Sequence, residues 1–226
     1  MPEETRRKRP ADAPSAQAPY MSADERRAKG KALRDRVPRA SQAGWKAQEG
    51  RRDPVDLLCQ SNAGRVEELI PIRFGRMSAS PFAFYRGAAA LMAADLATTP
   101  TSGSRGPACG DAHLMNFGGF ATPERNVIFD VNDLDETLPA PFEWDLKRLA
   151  ASVVIAAQFL KLPESDAARV TMDLVREYRE RMADYAAMRA LDVWYDRIDM
   201  QKYEDRAGDP DVVREARRRM AERVEE

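Results

Sequence analysis

The chain has 226 residues, which at about 150 residues per domain allows one domain and part of another. Its 36 Lys and Arg nearly balance 37 Asp and Glu, for a net charge of -1, so a protein that coats nucleic acid with a general basic excess is excluded. Two cysteines, Cys59 and Cys109, are too few for a disulfide framework, and a reducing cytoplasm is the expected location. The longest nearly apolar run, Leu149 to Leu160, falls short of the about 20 residues that span a bilayer, so no membrane partner is expected. MPEETRRKRP has no apolar stretch behind its charges and reads as no secretory signal.

Residues 1–53 carry 14 Lys and Arg against 8 Asp and Glu and almost no large aliphatics. Such a segment buries too little surface to offset its ordering entropy. It is expected to be a disordered basic tail with one frayed helix near Ser22 to Arg36, and its mixed charges favour a solvated leader over a nucleic-acid or lipid tether. Residues 54–226 form the expected folded region. Asp53-Pro54 reads as an N-cap with proline at the first helical position. Arg65 to Arg76 is helical in spacing, bent or broken at Pro71. Ser80-Pro81 opens a second helix expected to run to about Leu96. Thr98 to Gly110 reads as turns. Asn116 to Thr122 and Asn126 to Phe129 read as a hairpin across Pro123-Glu124-Arg125. Glu143 to Lys161 is charged at first and then apolar on every side, the pattern of a buried helix. Ser165 is expected to cap a long helix with a solvated face, and a last charged helix is expected over Asp211 to Glu226.

The chemistry is concentrated in CGDAHLMNFGGFATPERNVIFDVNDLDE, from Cys109 to Glu136. This stretch holds the only histidine, His113, the acids Asp111, Asp130, Asp133, Asp135 and Glu136, and Asn116. Carboxylates and an amide oxygen in loops and at strand ends are hard ligands that suit Mg²⁺, whereas one His and one Cys are too few soft ligands for zinc. Phosphoryl transfer needs an acid to orient the attacking hydroxyl, and an amide and a second acid to hold Mg²⁺ on the nucleotide phosphates. Asp111, Asn116 five residues on, and Asp130 after a hairpin follow that layout.

GDAHLMN is similar to the His-Gly-Asp-x-His-x-x-Asn motif of the aminoglycoside- and choline-phosphotransferase branch of the kinase-like superfamily, with Cys109 in place of the first His. VIFDVND resembles that branch's metal-binding Asp strand, and PFEWDLKRLA resembles its later helix start, where a buried acid braces the catalytic loop. Over residues 54–226 the chain more closely resembles a bacterial family, domain of unknown function 2252, through PIRFGRMSASPFAFYRGAAALMAADLA, GDAHLMNFGGF and FDVNDLDETLPAPFEWDLKRLAAS. The resemblance implies a mostly helical α+β fold like the catalytic lobe of a kinase with a short β-hairpin. It implies Mg²⁺ and ATP as cofactors, Asp111 as the acid that orients or deprotonates the acceptor, and Asn116 and Asp130, with Asp133 as the alternative, as metal ligands. His113 and Arg86 would contact cofactor, and Asp145 would support the loop. Longer members of the family carry a glycine-rich loop and a phosphate-binding lysine after the point where this chain ends. On that pattern the chain is the catalytic half only, with a missing complementary half or self-association as its expected partner.

Each residue also has a structural reading. Asp111 and Asn116 would shape a tight loop as an Asx pair. His113 would brace the loop, and Asp135 and Glu136 would cap a helix or pair with arginine. Arg73, Arg76 and Arg86 would clamp an anion or pair with the acid cluster. Phe82, Phe84 and Tyr85 are expected in the core, and Cys109 lacks a second histidine that would activate it. No lysine lies between Lys46 and Lys147, and GSRGPACG lacks the spacing of a phosphate-cradling loop. The function expected is a Mg²⁺-dependent small-molecule phosphotransferase. A non-catalytic nucleotide- or metal-binding regulatory fragment and a metal-dependent hydrolase are the alternatives.

Overall fold

The computed structural model describes residues 21–200, and the helix expected over 211–226 lies outside them. The architecture is α+β. Ser22 opens α1 (Ala23–Arg36) with a reciprocal capping box to Glu25, and the helix buries no residue. Asp53 caps α2 (Pro54–Gln60), accepting the Val55 and Asp56 N–H groups, with Pro54 at the first position, where its missing donor costs nothing. Pro71 starts α3 (Ile70–Met77) rather than bending it; the chain enters by a short 3₁₀ turn at Glu67–Leu69.

The helix expected from Pro81 to Leu96 is two helices, α4 (Pro81–Arg86) and α5 (Ala89–Leu96). The break falls at Gly87, whose carbonyl accepts Arg73 Nη2 at 2.8 Å while Arg73 Nη1 donates to Asn62. A Cβ on Gly87 would lie 2.6 Å from Met77 Sδ. The break therefore lets Met77 pack close against the backbone, in a core with Leu58 and Ala88. Arg73 is thus hydrogen-bonded to an amide and a carbonyl and makes no ion pair with the acid cluster among the described residues.

Residues 98–110 are not all turn. Arg105–Ala108 is strand β1, which pairs antiparallel with β4 (Leu138–Pro141), from Arg105 opposite Pro141 to Ala108 opposite Leu138. Gly and Pro in β1 and two prolines in β4 hide the strand pattern from local reading. The expected hairpin forms as β2 (Phe117–Ala121) and β3 (Val127–Val131), with Phe117 opposite Val131, and a two-residue β5 (Ile198–Asp199) adds to the far side of β3.

The central element is α6 (Phe142–Phe159), which touches α4, α5, both strands of the β1–β4 ladder and the neighbouring α7 (Glu164–Ala187). Phe142 stacks on Tyr178 of α7, ring centroids 6.4 Å apart. Ser165 lies inside α7 and does not cap it; Pro163 precedes the first turn. The end of α6 is less buried than its composition implies, with Phe159 and Leu160 57% and 65% exposed. A short helix, α8 (Ala190–Tyr195), carries exposed Leu191, Trp194 and Tyr195. The stretch between α1 and α2, placed by composition in the tail, touches the folded unit: Arg51 makes a two-point ion pair with Asp95 of α5, at 2.6 and 2.8 Å. No helix among the described residues is long and apolar enough to cross a membrane.

Candidate functional site

The two ladders position the site. At Ala108 and Leu138 the β1–β4 pairing ends; at Phe117 and Val131 the β2–β3 pairing begins. Two connecting segments, 109–116 and 132–137, therefore run side by side between them. Asn116 Nδ2 reaches across to the Asp133 carbonyl, Gly110 lies against the Glu136 backbone, and Asp130 is opposite Gly118 on the hairpin.

The 109–116 loop hangs from one stripe of α6. Asp145 in the first turn accepts the backbone N–H of Cys109 at 2.7 Å and of Gly110 at 3.0 Å. Arg148, three residues on, donates from Nε and Nη2 to Asp111 Oδ1, the Nε contact at 2.7 Å. Ser152, fully buried, accepts the Leu114 N–H at 2.9 Å and donates to the Leu149 carbonyl. The positions i, i+3 and i+7 lie on one helix face. Arg148 was not singled out by the sequence reading. The available signal was a cation three residues after Asp145 in a helix that is apolar from there on.

Arg148 is 2% exposed, and its partners satisfy it closely. Nη2 also donates to the Tyr85 carbonyl at 3.0 Å, and the guanidinium lies over the Tyr85 ring, 4.6 Å from its centroid. Tyr85 Oη donates to the Arg148 carbonyl at 2.8 Å. Burial pushes this phenol up to about 12, so it stays a donor. Asp111 thus has one oxygen anchored, while Oδ2 has His113 Nε2 3.7 Å away, beyond hydrogen-bond length.

His113 is buried, and its Nδ1 has no partner. Burial holds its pKa below the ordinary imidazole value; Asp111 acts the other way, and Arg148 and Arg86 reinforce the depression. Arg86 itself is exposed at the end of α4. Asn116 is buried, and its Nδ2 donates to the carbonyls of Asp111 at 3.1 Å and Asp133 at 3.0 Å, while Asn132 N–H donates to the Asn116 carbonyl at 3.0 Å. This amide sews the two segments together. A Cβ on Gly110, which sits at φ 81°, would fall 2.1 Å from the Glu136 carbonyl oxygen. Glycine is what lets the backbones approach here.

The acids of the second segment are exposed. Asp130 Oδ1 accepts the Val131 N–H and Asp133 Oδ1 the Asp135 N–H, and neither Oδ2 has a hydrogen bond among the described residues. No helix follows Asp135 and Glu136 for them to cap; Glu136 faces Arg65 at the 4.0 Å limit of an ion pair. Among the described residues no three His, Cys, Asp or Glu side chains gather into a metal set. Asp130 and Asp133 are exposed carboxylates, the donor type of which Mg²⁺ takes one or two before filling its shell with water and phosphate, whereas the Asn116 amide is buried with its Nδ2 on two carbonyls. Cys109 is no poised nucleophile: burial raises its thiol, with Asp145, Asp111 and Asp133 adding to the rise against a backbone hydrogen bond at Asp111.

A glycine-rich carboxylate loop suspended from a helix, next to a hairpin that ends in acids, defines a small α+β protein with a preformed polar site. The chain belongs to the family described as an uncharacterized protein conserved in bacteria, DUF2252, which matches residues 65–226. No curated protein and no solved structure matches the chain.

Proposed function

We propose that this chain provides the catalytic loop and metal-binding carboxylates of a Mg²⁺-dependent, ATP-using phosphotransferase that acts on the hydroxyl of a small molecule. The observation that carries the reading is the half-anchored Asp111. Arg148 fixes Oδ1 and leaves Oδ2 to accept the hydroxyl proton, on a backbone held by Asp145 and Ser152. Asp130, Asp133 and the side-chain oxygen of Asn116 would hold the metal. Bound Mg²⁺–ATP supplies the transferable phosphoryl group with its charge partly neutralised. Arg86, exposed at the end of α4, would contact an anionic substrate, and His113 Nε2 lies 3.7 Å from the unanchored Asp111 oxygen.

The Arg148 contact also favours a second reading, in which the Asp111–Arg148 pair braces the loop and does no chemistry. Asp111→Asn separates the two, because the amide keeps an acceptor for Arg148 but loses the basic oxygen. Calorimetric titration with Mg²⁺ and ATP is expected to show metal-dependent binding that Asp130→Ala weakens at least about tenfold. ATP turnover with a panel of small alcohols is expected to fall by about 10² to 10⁴ in Asp111→Asn, at an unchanged unfolding midpoint. Absence of metal-dependent ATP binding, or full turnover by Asp111→Asn, sinks the proposal.

A further inference from the structure

The Tyr85 ring that carries Arg148 also walls a cavity of about 400 Å³ to which neither Arg148 nor Asp111 contributes. That volume is within the range of small-ligand pockets, about 300–1,000 Å³. Phe84 of α4 and Leu91, Met92 and Leu96 of α5 give it an apolar surface, and Trp45 contributes from the stretch that Arg51 latches to Asp95. Phe84 and Tyr85 are therefore cavity wall rather than interior packing.

One ammonium sits in this lining. Lys147 of α6 donates to Thr99 Oγ1 at 3.1 Å, a neutral partner, and makes no ion pair among the described residues. The one acid on the wall, Asp95, has both oxygens on Arg51. A lysine carries three donors, so at least one N–H is left for another acceptor. Burial pulls the Lys147 pKa down, and the charge of Glu143, one turn earlier on α6, opposes the shift.

We propose that this cavity binds a small apolar carboxylic acid, with its carboxylate on Lys147 Nζ and its hydrocarbon or aromatic body against Phe84, Leu91, Met92, Leu96 and Trp45. An apolar wall with one oriented cation selects that chemistry: the body gains by leaving water, and the carboxylate meets a partly desolvated ammonium. Nothing in this site depends on the phosphotransferase reading.

The test uses the full chain and three probes that share one tail: octanoate, octanol and octylammonium. Binding is read by calorimetry and by the change in tryptophan emission. Octanoate is expected to bind at least about tenfold more tightly than octanol, with octylammonium weakest. Lys147→Met is expected to reduce octanoate to the level of octanol and leave octanol unchanged. Leu91→Trp is expected to weaken octanoate and octanol together while circular dichroism shows the fold retained; if that variant does not fold, Ala151→Leu fills the same cavity from α6. Equal binding of octanoate and octanol, an octanoate preference that survives Lys147→Met, undiminished binding in a folded cavity-filling variant, or no octanoate binding at millimolar concentration each overturns the proposal.

Discussion

Between Cys109 and Leu114 the loop is held by Asp145, Arg148 and Ser152 of one helix; between Asp130 and Glu136 the carboxylates are exposed, and Asp130 and Asp133 accept N–H groups one and two residues on in the chain. The first segment is fixed by hydrogen bonds to protein groups, so it loses little further freedom on binding. The second keeps free carboxylate oxygens that a cation or a basic partner would order. On the proposed function, the division would place rigidity at the acid that orients the acceptor and adaptability at the acids that would hold a water-rich ion.

The largest effect is expected at the junction of the two segments. Gly110→Ala puts a Cβ into the Glu136 carbonyl at a positive φ, and is expected to cost about 4 kcal/mol by urea unfolding. A loss under about 1 kcal/mol would mean that the segments separate easily. Next in size is Arg148→Met, expected to cost about 3 kcal/mol, since it strips Asp111 and the Tyr85 carbonyl of a buried partner. Asp111→Asn, which keeps the acceptor, is expected to cost clearly less in the same assay. Asp145→Ala removes the acceptor for two backbone N–H groups and is expected to cost about 2 kcal/mol, with Asp145→Asn in between.

A smaller effect is confined to acid. His113 has a depressed pKa when folded, so the unfolded chain binds the proton more readily. Its contribution is intact above the ordinary value of 6.5 and is lost as pH falls below it, toward the lower folded pKa. As this is the only histidine, its ring-proton signal is unique, and its midpoint is expected below 6.5 in the folded chain. A midpoint at or above 6.5 would remove the buried neutral imidazole from the site. The smallest stability effects are expected for Asp130→Ala and Asp133→Ala, within about 0.5 kcal/mol of the parent, because both acids are exposed. A larger loss in either would show that the second segment is also built into the fold.

Local signals placed α1, α2, the β2–β3 hairpin and α6, because caps, prolines, a turn and a hydrophobic pattern lie within a few residues of what they determine. The same kind of signal marked Asp111, Asn116, Asp130 and Asp145 as the residues to watch. Sequence reading missed β1, whose Gly and Pro are accommodated only because β4 pairs with it from about thirty residues away. It also ran α4 into α5, since Gly87 breaks the helix through Arg73 and Met77 rather than through its own neighbours.

The α+β class, the caps that start α1 and α2, and the concentration of acids between Cys109 and Glu136 are properties of short stretches of chain and are legible there. Tertiary structure alone decided that Arg148 grips Asp111, that Arg73 is spent on Gly87 and Asn62, and that Lys147 and Trp45 share one cavity. The reason is range: a long cationic side chain takes whichever acceptor folding brings within its reach, and its own neighbours in sequence do not say which one that will be.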